Sequence, residues 1–145
     1  MKTRQVLTLD DARQIGAAAE AEARRNHWAV TIAICDEGGH LLWLQRLDGA
    51  PLMGARVAPE KARTCAMTRK PSKAIEDMVN NGRFAALGMP VTPLEGGEMI
   101  VVGGELVGAV GVSGVTSAQD AQIARAGVVA IGAACALQTH AAPGG

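Results

Sequence analysis

The sequence predicts an α+β fold, a central antiparallel sheet flanked by helices, in the order α-β-β-α-α-β-β-α. Three observations lead there. Alternating apolar runs come in pairs joined by glycine turns, Asp36-Glu37-Gly38-Gly39 and Gly103-Gly104, as antiparallel hairpins do. Helical periodicity behind capping-box-like starts opens the chain and returns near its end. The strands do not alternate with crossover helices, as those of a Rossmann-type parallel sheet would.

Each element has its own signal. Thr8 precedes Leu9-Asp10-Asp11, with an acid at the third position, and Ala12, Ile15, Ala19 and Ala23 then recur at helical spacing, so the first helix should end near Asn26. From Ala29 to Cys35 the period becomes two. Val30, Ile32 and Ile34 share one face and Ala29, Thr31, Ala33 and Cys35 the other, which makes a strand with one small face. The second strand should run from about His40 to Leu47, until Asp48-Gly49-Ala50-Pro51 breaks it. A helix is expected over Pro59–Thr68, with a lead-in turn around Met53 to Val57. Pro71 interrupts it, and Ser72 is placed to cap a further helix through Val79 that Asn80-Asn81-Gly82 ends. A loop rich in Gly and Pro leads to Glu98, and Met99–Val102 and Leu106–Ser113 then read as the second hairpin. Ser117-Ala118-Gln119-Asp120 resembles another capping box, opening a helix to about Leu137. Residues 1–138 are expected to form one domain and residues 139–145 a flexible, frayed tail.

Composition narrows the function classes. The chain has 145 residues, 48% of them apolar, enough for a core, but aromatics are only Trp28, Trp43 and Phe84. Small residues must therefore do the packing, and Gly108, Ala109 and Gly111 in a strand, with Ala124, Gly127 and Ala130 in the last helix, permit close backbone approach. Lys+Arg and Asp+Glu balance at 14 each, which removes the long-range attraction that nucleic-acid binding requires, and three aromatics leave little for base stacking. No nucleic-acid partner is expected. The start has two early cations but no apolar segment of signal-peptide length, and Ala126 to Leu137 is well short of the roughly 18 apolar residues of a spanning helix, so a cytoplasmic protein without a membrane segment is expected. Cys35, Cys65 and Cys135 are odd in number, far apart and in apolar settings, which fits reduced, buried thiols.

Motifs with a fixed chemistry are absent: the chain has no P-loop, HExxH, CxxC or GxSxG. Among the three histidines no pair has chelate spacing. His40 opens a strand after a turn, where it could ligate iron or donate to a substrate; His27 ends a helix, where it can satisfy the last carbonyls; His140 lies in the tail. Seven of the 14 cations fall between positions 56 and 83, among them Lys61, Arg63, Arg69, Lys70 and Arg83. Such clustering in a neutral chain either holds a small anionic ligand, arginine being shaped for bidentate carboxylate contact, or forms a solvated helix face compensated by Glu60. Glu95-Gly96-Gly97-Glu98 adds acids on a glycine loop.

Several of these segments together resemble the GlcG/HbpS family, and within it the GlcG branch. They are Asp36-Glu37-Gly38-Gly39-His40-Leu41-Leu42, Arg46-Leu47-Asp48, Glu60-Lys61-Ala62-Arg63-Thr64, Met78-Val79-Asn80-Asn81-Gly82-Arg83, Leu94-Glu95-Gly96-Gly97, Gly108-Ala109-Val110-Gly111-Val112-Ser113-Gly114 and Ala118-Gln119-Asp120-Ala121-Gln122. The resemblance implies a profilin-like α+β sandwich, assembly into a dimer or higher homo-oligomer, a ligand site near subunit interfaces, and haem binding or degradation. Two functions are carried forward. As a binding protein for haem or a related tetrapyrrole, the chain would offer His40 as the axial metal ligand and Lys61, Arg69 or Arg83 as propionate partners, with His27, Met53, Met67 and Met99 the other side chains able to ligate. As an isomerase, hydrolase or lyase acting on a small carboxylic acid, it would hold the carboxylate with Lys61 and Arg83 and move a proton with Glu95, Glu60 or His40. A structural subunit without ligand is the third expectation.

Overall fold

The structure, a computed structural model, describes residues 1–137; the expected tail over residues 139–145, with His140, lies outside the described residues. The elements follow in the expected order: α1 (Leu9–Arg25), β1 (Thr31–Asp36), β2 (Leu41–Arg46), α2 (Gly54–Thr68), α3 (Ser72–Asn80), a 3₁₀ turn over Phe84–Gly88, β3 (Gly97–Val102), β4 (Glu105–Ser113) and α4 (Ser117–Val129). The four strands form one antiparallel sheet in the order β2-β1-β4-β3.

The two faces of β1 decide the layering. Ile32 and Ile34 join Val110, Val112 and Ile100 in a core closed by Ile15 and Ala19 of α1 and by Ile123 and Val128 of α4. On the opposite face Cys35, Met99 and Ala109 meet Ala62, Cys65 and Ala66 of α2. The small face is thus the one on which a helix lies almost directly on the strand backbones. At Gly111 of β4 an added Cβ would collide with the Ala58 carbonyl oxygen and lie 2.6 Å from Ala62 N, and at Gly97 of β3 it would lie 2.7 Å from Cys65 Sγ. The shortage of aromatic volume is met in this way by close approach.

Four boundaries differ from expectation. Helix α2 begins at Gly54 rather than Pro59, so Pro59 sits inside it. Its first turn is fixed from outside, because Gly54 packs against Thr31 and the Ser113 carbonyl with no room for a Cβ. Ser72 does not cap α3: Pro71 is the N-cap residue, and the buried Ser72 hydroxyl instead accepts the Gly97 N–H at 2.8 Å. The second capping box is formed by Thr116 and Gln119, one residue earlier than expected. Finally, α4 ends at Val129, not near Leu137. The chain turns at Gly132, whose φ is +74°, and Ala134 exchanges two backbone hydrogen bonds with Val101, of 2.8 and 2.9 Å. The unpaired edge of β3 thereby draws in a segment whose own helical tendency rests only on small residues.

Candidate functional site

Lys61, the cation expected to hold an anion, points inward. It is 3% exposed, and its Nζ donates to the Val112 carbonyl at 2.9 Å and to Asp120 Oδ2 at 3.0 Å. The one-residue shift of the α4 cap explains its partner: with Gln119 closing the capping box, Asp120 is turned inward and its Oδ1 accepts the Val115 N–H at 3.1 Å. Burial pushes the Asp120 carboxyl above its ordinary value, and the Lys61 ammonium beside it pulls the other way. Gly96 seals the pair. Its φ is +128° and a Cβ there would lie 2.6 Å from Lys61 Nζ, so glycine is required both for space and for backbone. The Gly96-Gly97 segment is clamped further, Gly96 accepting the Val112 N–H at 3.0 Å and Gly97 donating to Ser72.

His40 stands at the other flank of α2, on the β1–β2 turn. Its ring is 81% exposed and Nδ1 lies 3.2 Å from the Asp36 carboxylate, which leaves Nε2 facing solvent. Asp36 builds the turn, its Oδ1 accepting the N–H groups of Gly38 and His40 at 2.9 Å each. Partial burial pushes the Asp36 carboxyl up, but these two N–H donors and the His40 ring outweigh it and hold the group below its ordinary value. Beside His40, the register Leu41↔Cys35 and Leu44↔Ala33 puts both leucines on the α2 side of the edge strand β2. They are 52% and 39% exposed. Arg63 of α2 closes this ledge, its side chain packing on Gly39 of the turn. Asp36 and Leu41 lie within the same turn segment as His40, but Arg63 and Leu44 join them only through helix placement and strand register, which the sequence does not reveal.

The remaining expected site residues are dispersed. Arg69 is the C-cap of α2 and lines a cleft of about 520 Å³ that also takes in Glu37 of the His40 turn. Arg83 is exposed just before the 3₁₀ turn, Glu60 is exposed on α2 with Arg63 as its ion-pair partner at 3.7 Å, and Glu95 is half-buried on the loop before Gly96. No hydrogen bond or ion pair among the described residues joins Lys61, Arg83, Glu95 and Glu60 to one another. Of the other side chains able to ligate iron, Met99 is buried in the α2-side core, His27 is exposed at the far end of α1, and Met53 and Met67 are exposed at the two ends of α2. No group of three His, Cys, Asp or Glu able to hold a bare metal ion occurs among the described residues. Burial pushes the thiols of Cys35 and Cys65 up to about 12 and that of Cys135 to about 11, so the three free cysteines are poor nucleophiles.

Glu98 was grouped with Glu95 in sequence but has a different setting. It is 7% exposed on β3, accepts from Arg125 Nη1 at 3.0 Å, and burial raises its carboxyl above the ordinary value against the pull of that arginine. No helix among the described residues is long and apolar enough to cross a membrane.

Comparison with known proteins places this geometry in context. The sequence profile of the haem-degrading HbpS-like proteins matches residues 7–129. Protein GlcG of Escherichia coli strain K12 is 49% identical over 114 residues, covering 78% of this chain and 85% of GlcG. Among solved structures, a complex of PduOC with haem superposes with a TM-score of 0.83 at 27% identity, covering 91% of this chain and 99% of that one. A double mutant of Streptomyces reticuli HbpS gives the same TM-score and identity, covering 91% of each chain.

Proposed function

The chain belongs to the HbpS-like family, and from that premise we propose that it is a small-molecule binding protein whose ligand is haem or a related tetrapyrrole. The observation that carries the reading is His40. A histidine that ligates a metal usually donates its other ring N–H to a carboxylate, which fixes the tautomer and raises the basicity of the ligating nitrogen. His40 has that arrangement, with Asp36 on Nδ1 and Nε2 open.

The surroundings fit the group on one side. Leu41 and Leu44 offer an apolar ledge next to the imidazole, and Arg63 offers a guanidinium shaped for a propionate. In this proposal Arg63 takes the propionate role expected of Lys61, Arg69 and Arg83, since Lys61 is engaged by Asp120 and the other two lie elsewhere on the surface. When bound, haem would supply a redox-active iron that His40 would hold; the chain itself would orient the imidazole through Asp36, offer Leu41 and Leu44 as an apolar surface and neutralise a carboxylate with Arg63. The second wall comes, in this reading, from another copy of the chain. Among the described residues strand β2 pairs only with β1, which leaves its outer edge for a partner. Phe84, Leu87, Met89 and Leu94 are exposed apolar residues on the α3 side that suit further self-association.

Titration of the purified protein with hemin tests the assignment. A saturable Soret shift at one equivalent per chain is expected, lost or altered in form in His40→Ala and weakened in Arg63→Ala. A spectrum that never saturates, or one that His40→Ala leaves unchanged, would exclude His40 as the ligand.

A further inference from the structure

A second site lies beyond the His40 turn, where the C-terminal end of α2 meets the N-terminal arm and the β3–β4 turn. The cleft there measures about 520 Å³, within the range of small-molecule pockets. Its walls carry three cations, Lys2, Arg4 and Arg69, against two carboxylates, Glu37 and Glu105. Arg4 and Glu37 neutralise each other in an ion pair of 2.6 Å. No ion pair among the described residues involves Lys2 or Arg69, so with only Glu105 opposing them one positive charge is left uncompensated. The floor is apolar, made by Leu106 and Leu137.

Arg69 is also unusual in its backbone. It ends α2 in the left-handed conformation at φ +59°, with its N–H donating to the Cys65 carbonyl at 2.9 Å. Glycine is the usual residue at this helix position because it alone adopts that conformation without a Cβ penalty. The sequence places a guanidinium there instead, at the edge of the cleft. Strain held at a residue whose side chain faces a cavity is a pattern of binding sites.

We propose that this cleft binds a monocarboxylate with a short aliphatic body, the carboxylate held by Arg69 with Lys2 beside it and the chain lying on Leu106 and Leu137. The site does not depend on the tetrapyrrole reading, for it shares no ligand-contacting residue with the His40 ledge.

The test is an amide NMR titration of the full chain with hexanoate, with acetate and 1-hexanol as probes of the two halves of the ligand. Saturable shifts at Arg69, Gly104 and Leu106 are expected with hexanoate, with acetate and 1-hexanol each about tenfold weaker or worse, since each lacks one of the two contacts. Arg69→Gly keeps the left-handed backbone available and removes the side chain with its guanidinium, so this variant should fold and lose about tenfold or more in hexanoate affinity. Arg69→Lys should retain part of the affinity, and His40→Ala all of it. Hexanoate shifts that do not saturate, that scatter over the exposed apolar residues, or that persist undiminished in Arg69→Gly would overturn the proposal. The His40→Ala arm keeps its failure separate from failure of the haem reading.

Discussion

Removing Lys61 would leave the Asp120 carboxylate in the interior without its counter-charge. Breaking a buried pair from one side is strongly destabilising, whereas replacing both partners by apolar residues is often nearly neutral. Lys61→Ala should therefore cost about 3–5 kcal/mol in urea denaturation, and the double variant Lys61→Met with Asp120→Leu should recover most of that loss. A single variant as stable as the wild type would show the pair to be dispensable. Glu98 gives a prediction in pH. Its carboxyl is raised in the folded chain by burial, so the stability linked to its protonated form is present at low pH and is lost as pH rises through the folded value. Relative to Glu98→Gln, the wild type should lose stability as pH climbs from the ordinary glutamate value of about 4.3 towards neutrality. Denaturation of both proteins across that range checks it, and parallel curves would contradict it. Neither role was legible in the sequence. Lys61 stood out as one cation among several, and only the placement of α2 against β4, with the cap of α4 at Thr116 instead of Ser117, turns it inward towards Asp120.

Helix α2 owes its position to glycines of the strands beneath it. Gly111→Ala would drive a methyl group into the Ala58 carbonyl, backbone that can yield only by lifting the helix from the sheet. Overpacking typically costs about 1–3 kcal/mol and a collision with backbone should reach the upper end of that range, while the near-ultraviolet signal of Trp43, on the opposite face, should change less than urea stability does. A variant with unchanged stability would mean that α2 sits further from β4 than described. The alternation in β1 and the small residues of β4 were enough to foresee a strand with one small face and close backbone approach. The helix ends were harder to foresee. The start of α2 is set by contacts of Gly54 with Thr31 and Ser113, and the end of α4 by the pairing of Ala134 with Val101, both between residues far apart in sequence. The 3₁₀ turn over Phe84–Gly88 lay in a stretch read as loop, and a single turn carries no periodicity to detect.

At the scale of the whole molecule, the element order and the antiparallel sheet followed from hairpin and capping signals, and the family from ordered motifs spread over most of the chain. Which surface remains open did not follow. The sheet has two edges of different character: that of β3 is bridged by Ala134, while that of β2 has no strand beyond it among the described residues, and beside it lie Leu41, Leu44, Arg63 and His40. A ledge with one wall holds a flat ligand well only when a second surface closes over it, so the proposed haem site would tie ligand binding to self-association. Adding charge at the ledge should therefore disturb both at once, and Leu44→Asp should lower hemin affinity and shift sedimentation towards the monomer, with a fall in only one of the two arguing that the surfaces are separate. Native mass spectrometry of the protein loaded with hemin tests the central claim most directly, because one spectrum reports haem stoichiometry and assembly together. The account predicts oligomers that retain one haem per chain, with haem lost from His40→Ala; monomers that retain none, or oligomers whose haem content is indifferent to His40→Ala, would contradict it.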